Sequence, residues 1–194
     1  MEVVPVTLEG RELRLEPLGE SHASDLAQAA ELGIFRYMPM GPQQETPDAL
    51  RDYIEMLGNR PGWRPFAMVL RRERRAIGVS AYFEIRPEHR GLEIGSTWIA
   101  RQYQGTWVNP EAKFLMLRHA FEDLGAIRVE LKTDSRNLQS QRGIEKLGAQ
   151  REGVLRNHMI MPDGYLRDTV VYSIKVDEWP QVKKRLVQRL GYEP

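Results

Sequence analysis

The chain has 194 residues, the length of one ordinary domain, and its 41% hydrophobic and 28% charged residues are typical of a folded globular protein. A formal net charge of +1 gives no electrostatic reason to expect nucleic acid or an anionic membrane as a partner. The absence of cysteine excludes disulfides, thiolate nucleophiles and cysteine-based metal sites.

Targeting and metal-binding signals are also missing from the sequence. No apolar run approaches the roughly 20 residues that span a bilayer, and the segment MEVVPVTLEG lacks the charge pattern of a signal peptide. The four histidines show no metal-ligand spacing. We therefore expect a cytoplasmic protein without a metal, built as one domain over residues 1–194.

The first predicted elements are a hairpin and two helices. Alternating apolar residues on both sides of Glu9-Gly10-Arg11 predict two short strands joined by a turn. Ser21 is a candidate cap for a helix that runs to about Leu32. Thr46-Pro47-Asp48 combines a capping hydroxyl, a proline and an acid, and so predicts a second helix, which ends at Gly58-Asn59.

The middle of the chain is strand-like. Residues 66–70, 76–85 and 92–100 form three apolar or alternating runs separated by turns, which predicts an antiparallel meander. A helix is predicted from Pro110 to about Leu124.

The last part of the chain alternates strands and helices. The patterns predict a strand at 128–133, a helix at 137–147 ended by Gly148, strands at 154–161 and 165–176, and a final helix at 178–190. We expect parallel pairing between strands 92–100 and 128–133, because the helix between them returns the chain to the same edge. The element order predicts an α/β fold with one mixed sheet covered by helices.

The loop at 101–109 joins a strand to the N-terminus of a helix. Its glycine, Gly105, allows the backbone to approach a ligand closely, and the free N–H groups of the first helical turn favour an anion such as a pyrophosphate. Many loops of this kind bind nothing, so an ordinary connection is the alternative interpretation.

Asn137 and Ser140 lie three residues apart at the start of the next predicted helix. At that spacing their side chains project from one face of the helix. Simple capping by Asp134, Ser135 or Asn137 is the alternative interpretation of the same residues.

The order of these elements, with the segments EKLGA, REGVLR and DGYLRDTVVYSI, resembles the GNAT N-acetyltransferases. Within that family the chain is similar to the RimJ/RimL branch, which acetylates protein N-termini and some small amines. The resemblance implies the GNAT acyl-CoA N-acyltransferase fold, with a mostly antiparallel mixed sheet. It also implies direct attack of a primary amine on acetyl-CoA in a ternary complex.

The resemblance also implies where the cofactor binds. The family loop pattern Q/R-x-x-G-x-G/A is matched by Gln102 and Gly105, but Trp107 stands where the second glycine is expected. Backbone groups of Trp98, Ile99 and Ala100 are implied to bind pantetheine. The other implied contacts with acetyl-CoA are Gln104, Gly105, Thr106, Trp107, Val108, Asn109, Asn137 and Ser140.

Two residues are candidates for catalysis. Glu93 resembles the catalytic glutamate of several family members and is the candidate general base, with Glu84 as the second choice. The alternatives for Glu93 are a structural carboxylate paired with an arginine and a solvent-facing strand residue. Many GNAT enzymes use a tyrosine as the acid, but Ile144 occupies that position here, so Ser140 is the candidate that assists the leaving thiolate.

Two other functions compete with the enzyme. The missing glycine and tyrosine are compatible with a non-catalytic acyl-CoA-binding module. The turn at 71–75, RRERR, is compatible with an RNA contact, but the pattern favours a solvated charged hairpin and the net charge of +1 argues against RNA. The sequence leaves open whether the acceptor is a protein N-terminus or a small molecule, and a homodimer is compatible with it.

Overall fold

The computed structural model describes residues 1–192 and contains one 8-stranded sheet in the order β1-β2-β3-β4-β5-β6-β8-β7. Its strands are β1 (Leu8–Glu9), β2 (Leu13–Pro17), β3 (Arg64–Leu70), β4 (Arg75–Arg86), β5 (Gly91–Ile99), β6 (Arg128–Asp134), β7 (Gln150–Ile160) and β8 (Leu166–Lys175). Its α-helices are α1 (Ala23–Ala29), α2 (Pro47–Gly58), α3 (Val108–Arg118), α4 (Leu138–Leu147) and α5 (Trp179–Leu190).

The sheet is mixed, as predicted. Within residues 1–192, β5 and β6 pair in parallel, while the other neighbouring strands pair antiparallel. The parallel pair joins the two predicted strands on either side of α3, so that expectation is confirmed.

Helices cover the sheet on opposite faces. On one face, α1 contacts β4 and α2 contacts β3, and α2 buries Leu50, Tyr53, Ile54 and Leu57. On the other face, α3 packs on β2 and α5, and the Tyr82 hydroxyl of β4 donates to the Met116 carbonyl of α3 at 2.6 Å. The sheet is therefore the middle of three layers, with apolar side chains buried on both of its faces.

The first helix is shorter than predicted, and Ser21 does not cap it. A 3-10 turn at Glu20–His22 comes first, and the Gly19 N–H donates to the His22 ring Nδ1 at 3.1 Å. The helix α1 then covers only Ala23–Ala29. In contrast, the predicted cap of α2 is present, because the Thr46 hydroxyl accepts from the Ala49 N–H at 3.3 Å.

The helix α3 begins at Val108, two residues before the predicted start at Pro110. The Thr106 hydroxyl accepts from the Val108 N–H at 3.3 Å and so satisfies one of the free donors of the first turn. Pro110 lies third in the helix, where the missing N–H costs nothing because the first four have no partner inside a helix. The α-helix ends at Arg118 and continues as a π-turn, His119–Asp123.

Candidate active site

A cleft opens in the sheet where β5 and β6 separate. In the part of the chain that the structure describes, the two strands pair only at Gly91↔Arg128, Leu92↔Val129 and Glu93↔Glu130. Beyond that point β5 stays paired with β4, and β6 stays paired with β8. One edge of each strand is therefore left without a strand partner, and its backbone groups can pair with a ligand that lies along the gap.

A bulge shapes the β5 side of the cleft. Ser96 has a φ of +48°, and the register between β4 and β5 shifts at Val79/Ala81. Beyond the bulge, the Ala100 N–H donates to the Ile77 carbonyl of β4 at 2.8 Å and is therefore not free to bind a ligand. The N–H and C=O groups of successive residues in a strand point to opposite edges. Because the Ala100 N–H points to β4, the N–H and C=O of Ile99 point to the edge of β5 that has no strand partner.

The end of β5 is also held by the following loop. The Gln104 side chain donates to the Ile99 carbonyl at 3.0 Å. The Trp98 side chain packs away from the gap, with its ring 5.2 Å from that of Phe35. Of the three residues expected at pantetheine, Ile99 thus directs its backbone to the cleft.

The loop between β5 and α3 is open at its glycine. Gly105 has a φ of +75°, and no heavy atom of residues 1–192 lies within 4 Å of the position that a Cβ would occupy. Trp107 has an ordinary helical φ of −70°, so this position does not require glycine, and its side chain is 39% exposed. The side-chain oxygen of Asn109 is buried and has no hydrogen-bond partner within residues 1–192.

Glu93 lies at the vertex of the cleft. It is 4% exposed, and its carboxylate accepts from Lys132 at 2.7 Å, while Lys132 also contacts Glu130 at 3.1 Å. Burial raises the pKa of Glu93 above its ordinary value, and the hydrogen bond from Lys132 opposes that rise. A carboxylate with a raised pKa is suited to accept a proton near neutral pH.

The second candidate base lies outside the cleft. Glu84 is exposed on β4, where it has a φ of +48° beside an irregularity in the pairing with β5. Its charge contributes to the raised pKa of Glu93.

Asn137 is the N-cap of α4 in the structure. Its side-chain oxygen accepts from the Ser140 N–H at 3.0 Å, so the capping interpretation describes the contact that is present. The amide nitrogen of Asn137 takes no part in this cap. Ser140 is half-buried, and Ile144, at the position of the family tyrosine, is buried on the inner side of the helix.

Sequence reasoning missed a buried lysine on α3. Lys113 is 5% exposed, and its amine donates to the Thr97 hydroxyl of β5 at 2.8 Å and to the Ser80 hydroxyl of β4 at 3.3 Å. Burial lowers the pKa of Lys113 to about 7. Its only signal in the sequence is a charge among the apolar residues that follow, Phe114-Leu115-Met116-Leu117.

A polar face lies on the side of the sheet that carries α1 and α2. Directly paired residues point to the same face, and Glu130 pairs with Glu93 and Ser173, while Asp134 pairs with Thr169. The polar face consists of Glu93, Glu130, Lys132, Asp134, Arg167, Thr169 and Ser173. Its members are wholly or largely buried, and sequence reasoning singled out only Glu93 for a function.

The arginine-rich turn is balanced by nearby acids. Arg71 contacts Glu9 and Arg72 contacts Glu12, both at 3.7 Å. Arg75 contacts Glu73 at 2.8 Å. These exposed pairs are the expected state of a solvated charged hairpin.

Two kinds of site are absent from residues 1–192. No group of three or more His, Cys, Asp or Glu residues is arranged to hold a metal ion. No helix in this part of the chain has the length and apolar character needed to cross a membrane.

Comparison with known sequences identifies one family. Residues 12–150 match the sequence model described as the acetyltransferase (GNAT) domain. Over 98 residues the chain is 33% identical to the uncharacterized N-acetyltransferase YoaA of Bacillus subtilis, covering 50% of this chain and about half, 54%, of YoaA. Over 133 residues it is 28% identical to a protein of the same organism named "Putative ribosomal N-acetyltransferase YdaF", covering 69% of this chain and 68% of YdaF.

Solved structures share the fold over nearly the whole chain. A crystal structure named as a putative acetyltransferase from T. thermophilus matches with a TM-score of 0.91 and 43% identity, covering 98% of this chain and 100% of that chain. Mycobacterium smegmatis RimJ in complex with CoA-disulfide matches with a TM-score of 0.79 and 20% identity, covering 95% of each chain. The second likeness concerns the fold alone.

Proposed function

Because the chain belongs to the GNAT acetyltransferase family, we propose that it transfers the acetyl group of acetyl-CoA to a primary amine by direct attack in a ternary complex. The observation that carries this proposal is the separation of β5 from β6 beyond Glu93. The acceptor is a protein N-terminus or a small amine, and the name of YdaF supports the first of these.

The residues around the cleft fit acetyl-CoA. At the open edge of β5 the Ile99 N–H can donate to an amide of pantetheine, whereas the Ile99 carbonyl already accepts from the Gln104 side chain. The first turn of α3 offers N–H groups to the pyrophosphate, and Gly105 leaves open space beside them. Asn109 and the amide nitrogen of Asn137 are further polar groups available to the cofactor.

Acetyl transfer from a thioester to an amine requires three catalytic roles from the protein. Glu93 takes a proton from the attacking amine as the nitrogen–carbon bond forms. A backbone N–H on the open edge of β5 stabilises the negative charge on the thioester oxygen. Ser140 donates a hydrogen bond to the sulfur as the carbon–sulfur bond breaks, and the thiolate then takes up a proton.

The experiment that tests this function is a mass-spectrometric screen for acetylated products. The purified protein is incubated with acetyl-CoA and a panel of peptide N-termini, amino acids, polyamines and aminoglycosides. We expect a product heavier by one acetyl group and an equal amount of free CoA. Binding of CoA without turnover of any amine would contradict the proposal and indicate a non-catalytic binding module.

A further inference from the structure

The polar face contains a buried arginine that the proposed mechanism does not use. Arg167 lies on β8 and is 6% exposed. The Tyr172 hydroxyl of the same strand reaches Glu145 of α4 on the opposite face. Because side chains alternate along a strand, Arg167 points to the same face as Glu93 and Asp134.

Among the described residues, none is a counter-ion paired with Arg167. Within residues 1–192 its buried Nε has no hydrogen-bond partner, and Nη1 reaches only the Tyr37 carbonyl at 3.5 Å. The acids of the polar face are paired with other cations. Asp134 contacts Arg136 at 2.8 Å, and Lys132 contacts Glu93 at 2.7 Å and Glu130 at 3.1 Å.

Burying a cation without an anionic partner lowers the stability of the folded protein. Proteins retain such costs at functional sites, so a bound ligand is the expected partner of this cation. Burial lowers the pKa of Arg167, while the charges of Asp134 and Glu93 oppose this effect. An arginine nevertheless stays charged in proteins. Arg167 is therefore a charged planar donor without an anionic partner, and its charge interacts with that of the candidate base Glu93.

Aromatic groups border this position. The Arg136 guanidinium lies 3.4 Å from the ring centroid of Tyr165 and 5.6 Å from that of Tyr37. Tyr37 is also the residue whose carbonyl faces Arg167. The side chain of Arg167 on β8 thus faces the 3-10 turn Leu32–Tyr37, on the same side of the sheet as Glu93.

We propose that Arg167 binds a carboxylate of the acceptor, so that the substrate is an amine that also carries a carboxylate. This inference rests on the proposed acetyltransferase function. The guanidinium fork matches a carboxylate with two parallel hydrogen bonds. The nearby acids Glu93 and Asp134 favour a single negative charge over a phosphate dianion, and Arg167 disfavours polyamines and other cationic acceptors.

The test compares acceptors that differ only in one carboxylate. One arm uses alanine and alaninamide, and the other uses peptides that begin with glutamate or with glutamine, so that the two sources of a carboxylate are distinguished. In at least one arm the wild-type protein should prefer the acid by about 10-fold or more in kcat/KM, as expected for a charge-assisted hydrogen bond. Arg167→Met should bring this ratio close to one without changing acetyl-CoA affinity.

Two variants control for charge and folding. Arg156→Met removes an exposed arginine from the neighbouring strand β7 and should keep the preference of the wild type. Arg167→Lys keeps the charge without the fork and should retain part of the preference. A ligand-binding role predicts that Arg167→Met melts at the same temperature as the wild type or higher, because a buried unpaired charge is removed.

The outcomes separate this inference from the proposed function. If the wild type acetylates acids and amides equally in both arms, Arg167 does not bind a carboxylate of the acceptor and the inference is wrong. An Arg167→Met variant that melts lower and loses both activities equally would also overturn it, in favour of a structural role. If no amine is acetylated at all, the proposed function fails and this inference fails with it.

Discussion

Single residues at the cleft owe their chemistry to groups from distant parts of the chain. Glu93 is buried and paired with Lys132 of the next strand, and Lys132 is shared with Glu130. An arginine is the structural partner expected from the sequence, but the pairing cation in the structure is a lysine. This pairing keeps a buried carboxylate ionisable, while burial still raises its pKa.

The pH dependence of the Glu93→Gln variant tests the role of this residue as a base. The substitution keeps the shape and leaves Lys132 paired with Glu130. If Glu93 accepts the amine proton, the loss in kcat/KM should be largest at low pH and shrink as the pH approaches the pKa of the amine, because the substrate then arrives neutral. The check is a pH–rate profile of variant and wild type.

Glu88→Gln is the matched control, because it removes an exposed carboxylate from the turn between β4 and β5. We expect it to leave the profile almost unchanged. A loss in Glu93→Gln that is equal at all pH values would assign Glu93 to positioning instead.

The cap at Asn137 allows its structural and binding roles to be separated. Asn137→Asp keeps the oxygen that accepts from the Ser140 N–H, whereas Asn137→Ala removes it and should cost about 1 kcal/mol of stability. If the amide nitrogen contacts pantetheine, both variants weaken acetyl-CoA binding in calorimetry. Wild-type affinity in Asn137→Asp would mean that the residue only caps α4.

Ser140→Ala complements that pair of variants. If the hydroxyl assists the leaving thiolate, kcat should fall while acetyl-CoA affinity stays constant. An unchanged kcat would remove Ser140 from the mechanism.

At the scale of elements, the joint between β5 and α3 is where we propose that the pyrophosphate of the cofactor binds. Gly105→Val introduces a side chain at a φ of +75° and into the open space beside the first turn of α3. We expect weaker acetyl-CoA binding through exclusion of the phosphates and through backbone strain. Calorimetric titration measures the effect.

Gly62→Val is a matched control for strain alone. Gly62 has a φ of +74° and open space around it, but it lies in the turn between α2 and β3. It should lower the melting temperature without changing acetyl-CoA affinity. Equal loss of affinity in both variants would mean that strain, not access to the phosphates, explains the result.

The packing of α3 on β4 and β5 makes stability depend on pH through Lys113. Its pKa is lowered from 10.5 to about 7. Between these values the unfolded chain binds a proton that the folded chain lacks, so the free energy of unfolding should rise with pH, by at most about 1.4 kcal/mol per pH unit. Below pH 7 both states hold the proton and this contribution becomes constant.

Denaturant unfolding at pH 7 and pH 9 measures this dependence. Lys113→Met should flatten it, and the Ser80 and Thr97 hydroxyls still bond each other at 2.7 Å. Lys146→Met, which removes an exposed lysine, should keep the wild-type slope. A slope unchanged by Lys113→Met would show that the amine stays charged when buried.

At the scale of the whole molecule, the sheet is continuous from β1 to β7 yet divided by the cleft between β5 and β6. We expect acetyl-CoA to slow amide hydrogen exchange along 94–99 of β5 and in the first turn of α3, where backbone groups gain partners. Exchange in β1 and β2 should stay unchanged. Slowing confined to the exposed strand β7 would place the cofactor elsewhere.

The sequence by itself determined the order of elements, the cap at Thr46, the parallel pair across α3 and the glycine loop at its start. These features can be predicted from hydrophobic periodicity, capping residues and turn residues, because each of these signals depends only on residues that are close in the sequence. The resemblance to the GNAT family supplied the expected roles of Glu93, Asn137 and Ser140, and these roles stay predictions.

Only the tertiary structure decided which charges are paired and which are not. The contact between Glu93 and Lys132 joins residues 39 positions apart, and the burial of Lys113 and Arg167 depends on strands and turns far away in the chain. The bulge at Ser96 likewise arises from pairing between β4 and β5. Local patterns do not encode such contacts, because burial and charge pairing depend on long-range packing rather than on neighbouring residues.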